Sequence, residues 1–581
     1  MPTFAHEDQL PRVPLPPLEE TAERFLAWSA PLLGEQERAD TEAAVAALLA
    51  PDSPAHALHA DLVAYDARPD VASWLDDFWR DRYLGRRDRI ALNANFFFLF
   101  QDAGPRGERL GQIERAAQLT ASAVAFKARI DDESLPVAEQ RGRPLSMHQF
   151  RFLFSATRIP GDPRDTSRNP YSDDWPGPSR ERHIVVLHRG AAVRLDVIDP
   201  DGRPYTAEEI AAGLRAVAQE RPGDGVGALT SKARAEWAAS RAALVEAGNA
   251  DVLDEIERAL FCVLLEDDAP DGALAASDRL LHGDAANRWF DKAVSLVVFA
   301  DGRAGINGEH CNLDGTTIVA FLDEILTVAP TTGGDAVPAV RRLDFVLDDA
   351  LRADVADART AFAEYSAATA TRTLSLDFDA ERAKALKCSP DAFAQMAFQL
   401  AHRRAKGHVG ATYESIATRA FRHGRTEAMR VVTPEVVAFV AAMDQPDLDA
   451  RRDAFRAAAE AHVARARECQ AGLAPEQHLW ELQLRQKRHG GGEPMALFDS
   501  PGWRIVRDDY LSTSAVPSPL IQYFGFGSTS EKCIGVGYAM MPDRFDLYLS
   551  TPASVAEQME VFANELPAVV RELEELLTDG R

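Results

Sequence analysis

Residues Ala293–Gly315 read AVSLVVFADGRAGINGEHCNLDG. The opening AVSLVVFA is an apolar run ended by Asp301-Gly302, the pattern of a buried strand followed by a turn. A second short segment, AGINGEH, follows, and its Gly305 and Gly308 let the backbone approach a ligand or another chain segment closely. Beyond Asp314-Gly315, the residues Ile318, Phe321, Leu322, Ile325 and Leu326 recur at helical spacing and form one apolar face, with Asp314 placed as the N-cap. His310 therefore lies at a strand-to-helix junction. Of the 14 histidines it alone has an aspartate four residues later. A histidine with a reference pKa of ~6.5 can accept a proton from a hydroxyl near neutral pH and return it to a leaving thiolate. The spacing alone equally allows an interior histidine beside a helix cap.

Outward from this junction the chain reads as a mixed α/β protein. LEETAERFLAWSAPLL, with Leu18, Thr21, Phe25 and Trp28 in register, and the stretches Glu35 to Leu49, Val71 to Tyr83 and Ala361 to Ala370 predict helices. His183 to Leu187 and Val193 to Ile198 predict short strands. At 581 residues the chain exceeds one ordinary core, so at least two domains are expected. A hydrophobic fraction of 46% and a charged fraction of 27% are those of a globular protein. Lys+Arg 64 against Asp+Glu 90 gives a net charge of −26, which repels the phosphates of nucleic acids and anionic membranes. Five scattered cysteines without paired spacing point to a reducing compartment and to no zinc site. No export signal is read in MPTFAHEDQLPRVPLPPLEET, and the apolar runs are far shorter than the ~20 residues of a membrane span. A cytoplasmic location is expected, and the Ala/Arg/Asp-rich composition suits a bacterium.

H-x-x-x-D-G, here His310 to Gly315, resembles the active-site motif of the CoA-dependent acyltransferase superfamily. The chain as a whole is similar to the choline/carnitine O-acyltransferases. LPRVPLPPLEET, PLSMHQFRFLFSATRIPG, ANRWFDKAVSLVVFADGRAGINGEH, SPDAFAQMAFQLA, ATYESIATRAFRHGRTEAMR and LSTSAVP match that family's blocks in order along nearly the whole chain. The resemblance implies two similar chloramphenicol-acetyltransferase-like domains, each a mixed sheet flanked by helices, with an active-site tunnel between them. Residues 73–350 are expected to form the histidine-bearing domain, and 1–72 with 351–581 the domain that binds CoA and acceptor. The implied chemistry is direct transfer in a ternary complex. His310 is the base, Asp314 its partner, and Ser514 of the Ser512-Thr513-Ser514 motif donates to the oxyanion.

The same resemblance assigns the substrates. Lys384 and Asp391 match positions along acyl-CoA, the cosubstrate, with no permanently bound cofactor. Ala380 replaces a second phosphate-contacting lysine, a loss that Arg382 or Lys387 could offset. An acyl carrier protein, whose arm lacks the 3′-phosphate, is the alternative donor, with condensation chemistry as a related reading and an inactive scaffold as a third. Phe524 aligns with the residue that closes the acyl pocket, so a short acyl group, acetyl above all, is expected. Gln477 stands where carnitine enzymes carry an arginine, and loss of that charge-assisted bond weakens carboxylate binding by roughly 1.5–3 kcal/mol. Tyr413 and Thr426 match carnitine-type polar residues. Phe526 matches an aromatic beside a trimethylammonium group, and Tyr83 an acceptor-site tyrosine. The expected partner is a small hydroxyl acceptor other than carnitine.

Overall fold

In the computed structural model, which describes residues 2–101 and 110–578, the apolar run becomes the strand Val294–Val298, every residue of it buried. It pairs parallel with Cys262–Leu265 and antiparallel with Ala304–Gly308, so the polar backbone of this apolar segment is satisfied on both edges. The sheet runs Val340–Leu343, Ala191–Asp196, His183–His188, Cys262–Leu265, Val294–Val298, Ala304–Gly308, Phe96–Phe100 and Ile521–Phe526. Two of its pairings are parallel and the others antiparallel. The helices Gln112–Asp131, Gly272–Leu281 and Gly315–Thr327 pack around it. A methyl group at Gly305 would collide with Leu280 and the Phe98 carbonyl, and one at Gly308 with Ile318. These glycines therefore serve close packing of chain on chain.

This sheet belongs to a compact unit formed by residues up to Glu7, Arg82–Thr371 and Ser518–Gly527. A second unit comprises Asp8–Asp81, Arg372–Pro517 and the chain from Ser528 onward. Its sheet is also mixed, in the order Thr369–Leu376, Arg544–Pro552, Ile534–Met541, Leu511–Ala515, Thr412–Ala417 and Thr426–Arg430. The helices Pro390–Lys406, Leu448–Gln470 and Ala556–Thr578 pack with one another, and the N-terminal helix Leu18–Ser29 packs on Pro475–Arg488.

Several boundaries differ from those read in the sequence. The unit that holds His310 extends past residue 350 to Thr371, and it recruits Ser518–Gly527 because Ile521–Phe526 hydrogen-bonds along the outer edge of Phe96–Phe100. Residues up to Glu7 also join it: Thr3 donates to the carbonyls of Glu133 and Leu135, and Glu7 accepts from Ser146 and the Met147 N–H. The helix expected from Val71 begins at Asp76; just before it the Ser73 N–H donates to the Asp76 carboxylate and the Ser73 hydroxyl accepts the Leu75 N–H, a turn that caps the helix start. The helix expected to reach Ala370 stops at Ala367, and the segment from Thr369, with threonines at alternate positions 369, 371 and 373, enters the second sheet as a strand. The five cysteines are buried and unpaired. Among the described residues, no helix is long and apolar enough to cross a membrane.

Charge is buried deliberately in the first unit. The Asp165 carboxylate, fully buried, receives Arg158 and Arg234 at 2.6 Å each, and Arg234 also pairs with Asp291 at 2.8 Å. Burial pushes the Asp291 carboxyl up to about 6 against the opposing pull of Arg234. Removing one member of such a network strands buried charge. Asp165→Ala should therefore lower the free energy of unfolding by about 3–5 kcal/mol in denaturant titration. Arg215→Ala, which breaks only the exposed pair with Glu114, should stay within about 1 kcal/mol of wild type. Equal effects of the two substitutions would contradict the assignment.

Candidate active site

His310 sits on the turn between the strand Ala304–Gly308 and the helix Gly315–Thr327. Glu309 anchors this turn: its N–H donates to the Ala293 carbonyl at 3.1 Å, and its carboxylate accepts the Cys311 N–H at 3.0 Å. His310 Nδ1 lies 2.7 Å from the Leu313 carbonyl oxygen. A carbonyl can only accept, so Nδ1 carries the proton and the lone pair of the neutral ring is on Nε2. Tyr83 Oη is 3.4 Å from Nε2, with the two rings 4.8 Å apart, and Phe96 meets the imidazole edge-on at 4.9 Å. The His310 side chain keeps 27% of its exposure, which leaves Nε2 within reach of a substrate.

Asp314 occupies the N-cap position with extended backbone, yet its side chain makes no cap hydrogen bond. That corrects the capping role read from the sequence. The carboxylate instead accepts Gln149 Nε2–H at 2.7 Å through Oδ2 and turns Oδ1 toward His310 Nδ1 at 3.6 Å. This separation is too long for an ordinary hydrogen bond, so Asp314 acts on the ring through its charge, most strongly once the ring is protonated. Phe524 is buried and stacks on Phe98 at 4.9 Å, with Phe96 and Phe526 at 6.5 and 5.8 Å. Phe96 thus touches both His310 and Phe524, and an aromatic wall stands beside the imidazole.

The remaining candidates gather on the second sheet. Tyr413 is in register with Ser512 on one side and Arg430 on the other, and side chains two residues apart share a face. Tyr413, Ser512, Ser514, Thr426 and Arg430 therefore lie on the same face. The partners of Ser512 and Ser514 on the next strand are Gly535 and Gly537, which put no side chain against the two hydroxyls. Thr513 points the other way, accepting from Gln395 at 2.9 Å and donating to the Tyr413 carbonyl at 2.8 Å. Gln477, in the first turn of Pro475–Arg488, donates Nε2–H to the Thr426 carbonyl at 2.7 Å, while its buried Oε1 has no hydrogen-bond partner among the described residues. Arg430 is saturated by Glu476 at 2.9 and 2.5 Å and by Asp509 at 2.6 Å. Burial pushes the Asp509 carboxyl up to about 6, with Arg430 pulling it down.

The positions matched to CoA are arranged differently from one another. Lys384 and Lys387 are exposed, and Lys384 pairs with Glu381 at 2.8 Å, a surface contact that a phosphate can replace cheaply. Arg382, beside Ala380, has its guanidinium held by Glu574 at 2.9 and 2.5 Å and by Asp377. Asp391 opens the helix Pro390–Lys406, exposed to solvent while accepting from the buried Tyr538 hydroxyl at 3.2 Å. Gln149, Arg158, Glu309 and Arg430 were not singled out in the sequence. For Gln149 and Arg158 the available signal was one amide and two guanidinium groups, those of Arg151 and Arg158, inside PLSMHQFRFLFSATRIPG, an otherwise largely apolar block. Among the described residues no group of three or more His, Cys, Asp or Glu could hold a metal ion.

The choline/carnitine O-acyltransferase profile matches residues 13–568. Mouse mitochondrial carnitine O-palmitoyltransferase 2 is 32% identical over 94% of this chain and 88% of its own length. The carnitine O-acetyltransferase of Columba livia is 31% identical over 95% of this chain and 90% of its own. Among solved structures, the first condensation domain of the CDA synthetase is a distant likeness, with a TM-score of 0.35 and 13% identity over 85% of this chain and 92% of that one. The chain belongs to the choline/carnitine O-acyltransferase family, whose members are acyl-CoA-dependent O-acyltransferases.

Proposed function

We propose that this enzyme moves a short acyl group, acetyl above all, from CoA to the hydroxyl of a small acceptor that carries no carboxylate. The observation that carries the reading is the 2.7 Å contact of His310 Nδ1 with the Leu313 carbonyl, which leaves Nε2 as the base. Nε2 takes the hydroxyl proton, and the oxygen attacks the thioester carbonyl. The Ser514 hydroxyl donates to the resulting oxyanion. Collapse breaks the carbon–sulfur bond, and the Nε2 proton goes to the departing thiolate. Asp314 stabilises the imidazolium between the two transfers. Lys384 and Lys387 are assigned to the CoA phosphates and Asp391 to the same ligand's path, with CoA as cosubstrate and no permanently bound cofactor.

Acetyl preference is supported by the buried Phe524 ring, stacked on Phe98, at the position that the family resemblance matches to the residue closing the acyl pocket. The acceptor reading is supported by Gln477 and Arg430. One is uncharged, with its amide N–H spent on Thr426; the other is compensated by two carboxylates. Neither residue offers an uncompensated cation to an acceptor carboxylate. Tyr83, Tyr413, Thr426, Ser512 and Phe526 are the remaining acceptor candidates.

Thiol release tests donor, acceptor and base together. With acetyl-CoA, octanoyl-CoA and palmitoyl-CoA against carnitine, choline and neutral amino alcohols, the acetyl donor and a non-carboxylate acceptor should give the fastest release. His310→Ala should lower kcat about 10²–10⁴-fold while calorimetry finds CoA binding unchanged. Palmitoyl-CoA as the best donor would contradict the role of Phe524. Release only from an acyl carrier protein would move the donor assignment. In the same assay, Gln477→Arg should raise kcat/KM for carnitine about ten- to hundredfold by restoring a charge-assisted bond. Carnitine as the best wild-type acceptor would overturn the Gln477 argument.

A further inference from the structure

Gln149 lies on the 3-10 helix His148–Phe152, far in sequence from His310, and is 5% exposed. Its amide is spent on the residues around Asp314. Nε2 donates to Asp314 Oδ2 at 2.7 Å, and Oε1 accepts the Asp314 N–H at 2.7 Å and the Thr317 hydroxyl at 3.0 Å. The two ends of one planar group thus grip both the side chain and the backbone of the same aspartate. Because Oδ2 is held from the far side, the carboxylate plane is set and Oδ1 is the oxygen turned to His310 Nδ1. The Asp314 carboxylate makes no cap bond at the start of its helix, and its Oδ1 faces the imidazole.

We infer that Gln149 is a positioning residue for proton transfer at His310, acting through Asp314; the inference rests on the reading of His310 as the base. At 3.6 Å, Asp314 stabilises the imidazolium by charge and orientation without a short hydrogen bond. A carboxylate that loses the Gln149 bond can shift toward the cap positions at the start of Gly315–Thr327. That movement withdraws charge from the ring when the proton arrives. Among the titratable and charged groups around it, Asp314 is bonded to Gln149 and faces His310, His148 and Arg151 share its 3-10 helix, and Glu7 accepts from Ser146 and Met147 on the segment leading into it.

Two substitutions separate positioning from mere support of the fold. Gln149→Leu should lower kcat about tenfold or more and leave KM for acetyl-CoA within about twofold. Its crystal structure should show the Asp314 carboxylate turned away from Nδ1. Gln149→Glu keeps an acceptor for the Asp314 N–H and sets a second carboxyl against Oδ2, where two ionised groups cannot coexist, so the pair holds one proton at lower pH. While that proton is present the carboxyl donates as the amide did, and kcat should stay near wild type. As pH rises and the proton leaves, kcat should fall, adding an alkaline limb absent from the wild type. An unmoved Asp314 carboxylate in the Gln149→Leu crystal overturns the inference whatever the turnover. So does a Gln149→Glu profile that keeps the wild-type shape. A wild-type enzyme without thiol release is a separate result and contradicts the acyltransferase reading.

Discussion

A hydroxyl proton can pass to His310 only through a ring nitrogen that has none, and the contact between Nδ1 and the Leu313 carbonyl decides which nitrogen that is. The contact is made within one turn, three residues apart, so it depends on how the turn is held and not on the rest of the fold directly. Much of the first unit bears on that turn. The buried strand Val294–Val298 brings in the chain, and the Ala293 carbonyl receives Glu309 N–H. The helix Gly315–Thr327 carries the chain away, and Gln149 secures the aspartate at its start. Glycines at 305 and 308 let neighbouring elements close on the strand between them.

Charge buried beneath the turn links the two rings that meet at Nε2. Arg158 donates to the Tyr83 carbonyl at 2.7 Å and pairs with Glu309 at 3.3 Å, so one guanidinium holds the backbone of the tyrosine and the neighbour of the histidine. Arg158 is itself held by Asp165, which Arg234 also neutralises. Such a network is costly to desolvate and adds little net stability over an apolar core, but it resists displacement because each charge has one low-energy arrangement. The second unit uses the same device for a different end. Around Arg430, two carboxylates cancel a cation on the face that carries Tyr413, Thr426 and Ser512, and this cancellation underlies the proposal of an acceptor without a carboxylate.

The sequence made some of this legible and hid the rest for physical reasons. The strand, turn and helix around His310 were readable because apolar periodicity and Asp-Gly turns are local signals. The mixed α/β class and the family followed from the ordered blocks. The recruitment of Ile521–Phe526 into the first sheet was not readable, since edge pairing between Phe96–Phe100 and a strand over 400 residues away leaves no local mark. Asp314 looked like a cap because its position is that of one, whereas the partners that occupy its carboxylate lie elsewhere in the chain. Gln149 and Arg158 stood in a quoted block, but burial and bonding distinguish them only after folding. The pairing of Arg382 with Glu574, nearly 200 residues on, likewise leaves no local mark.

The central claim is that neutral His310 carries its proton on Nδ1 and presents Nε2 as the base. Nitrogen-15 NMR of histidine-labelled protein measures this directly, with the His310 resonances identified by their loss in His310→Ala. Above the imidazole pKa the account predicts a protonated Nδ1 and an unprotonated Nε2. A proton found on Nε2 in the neutral ring would contradict it.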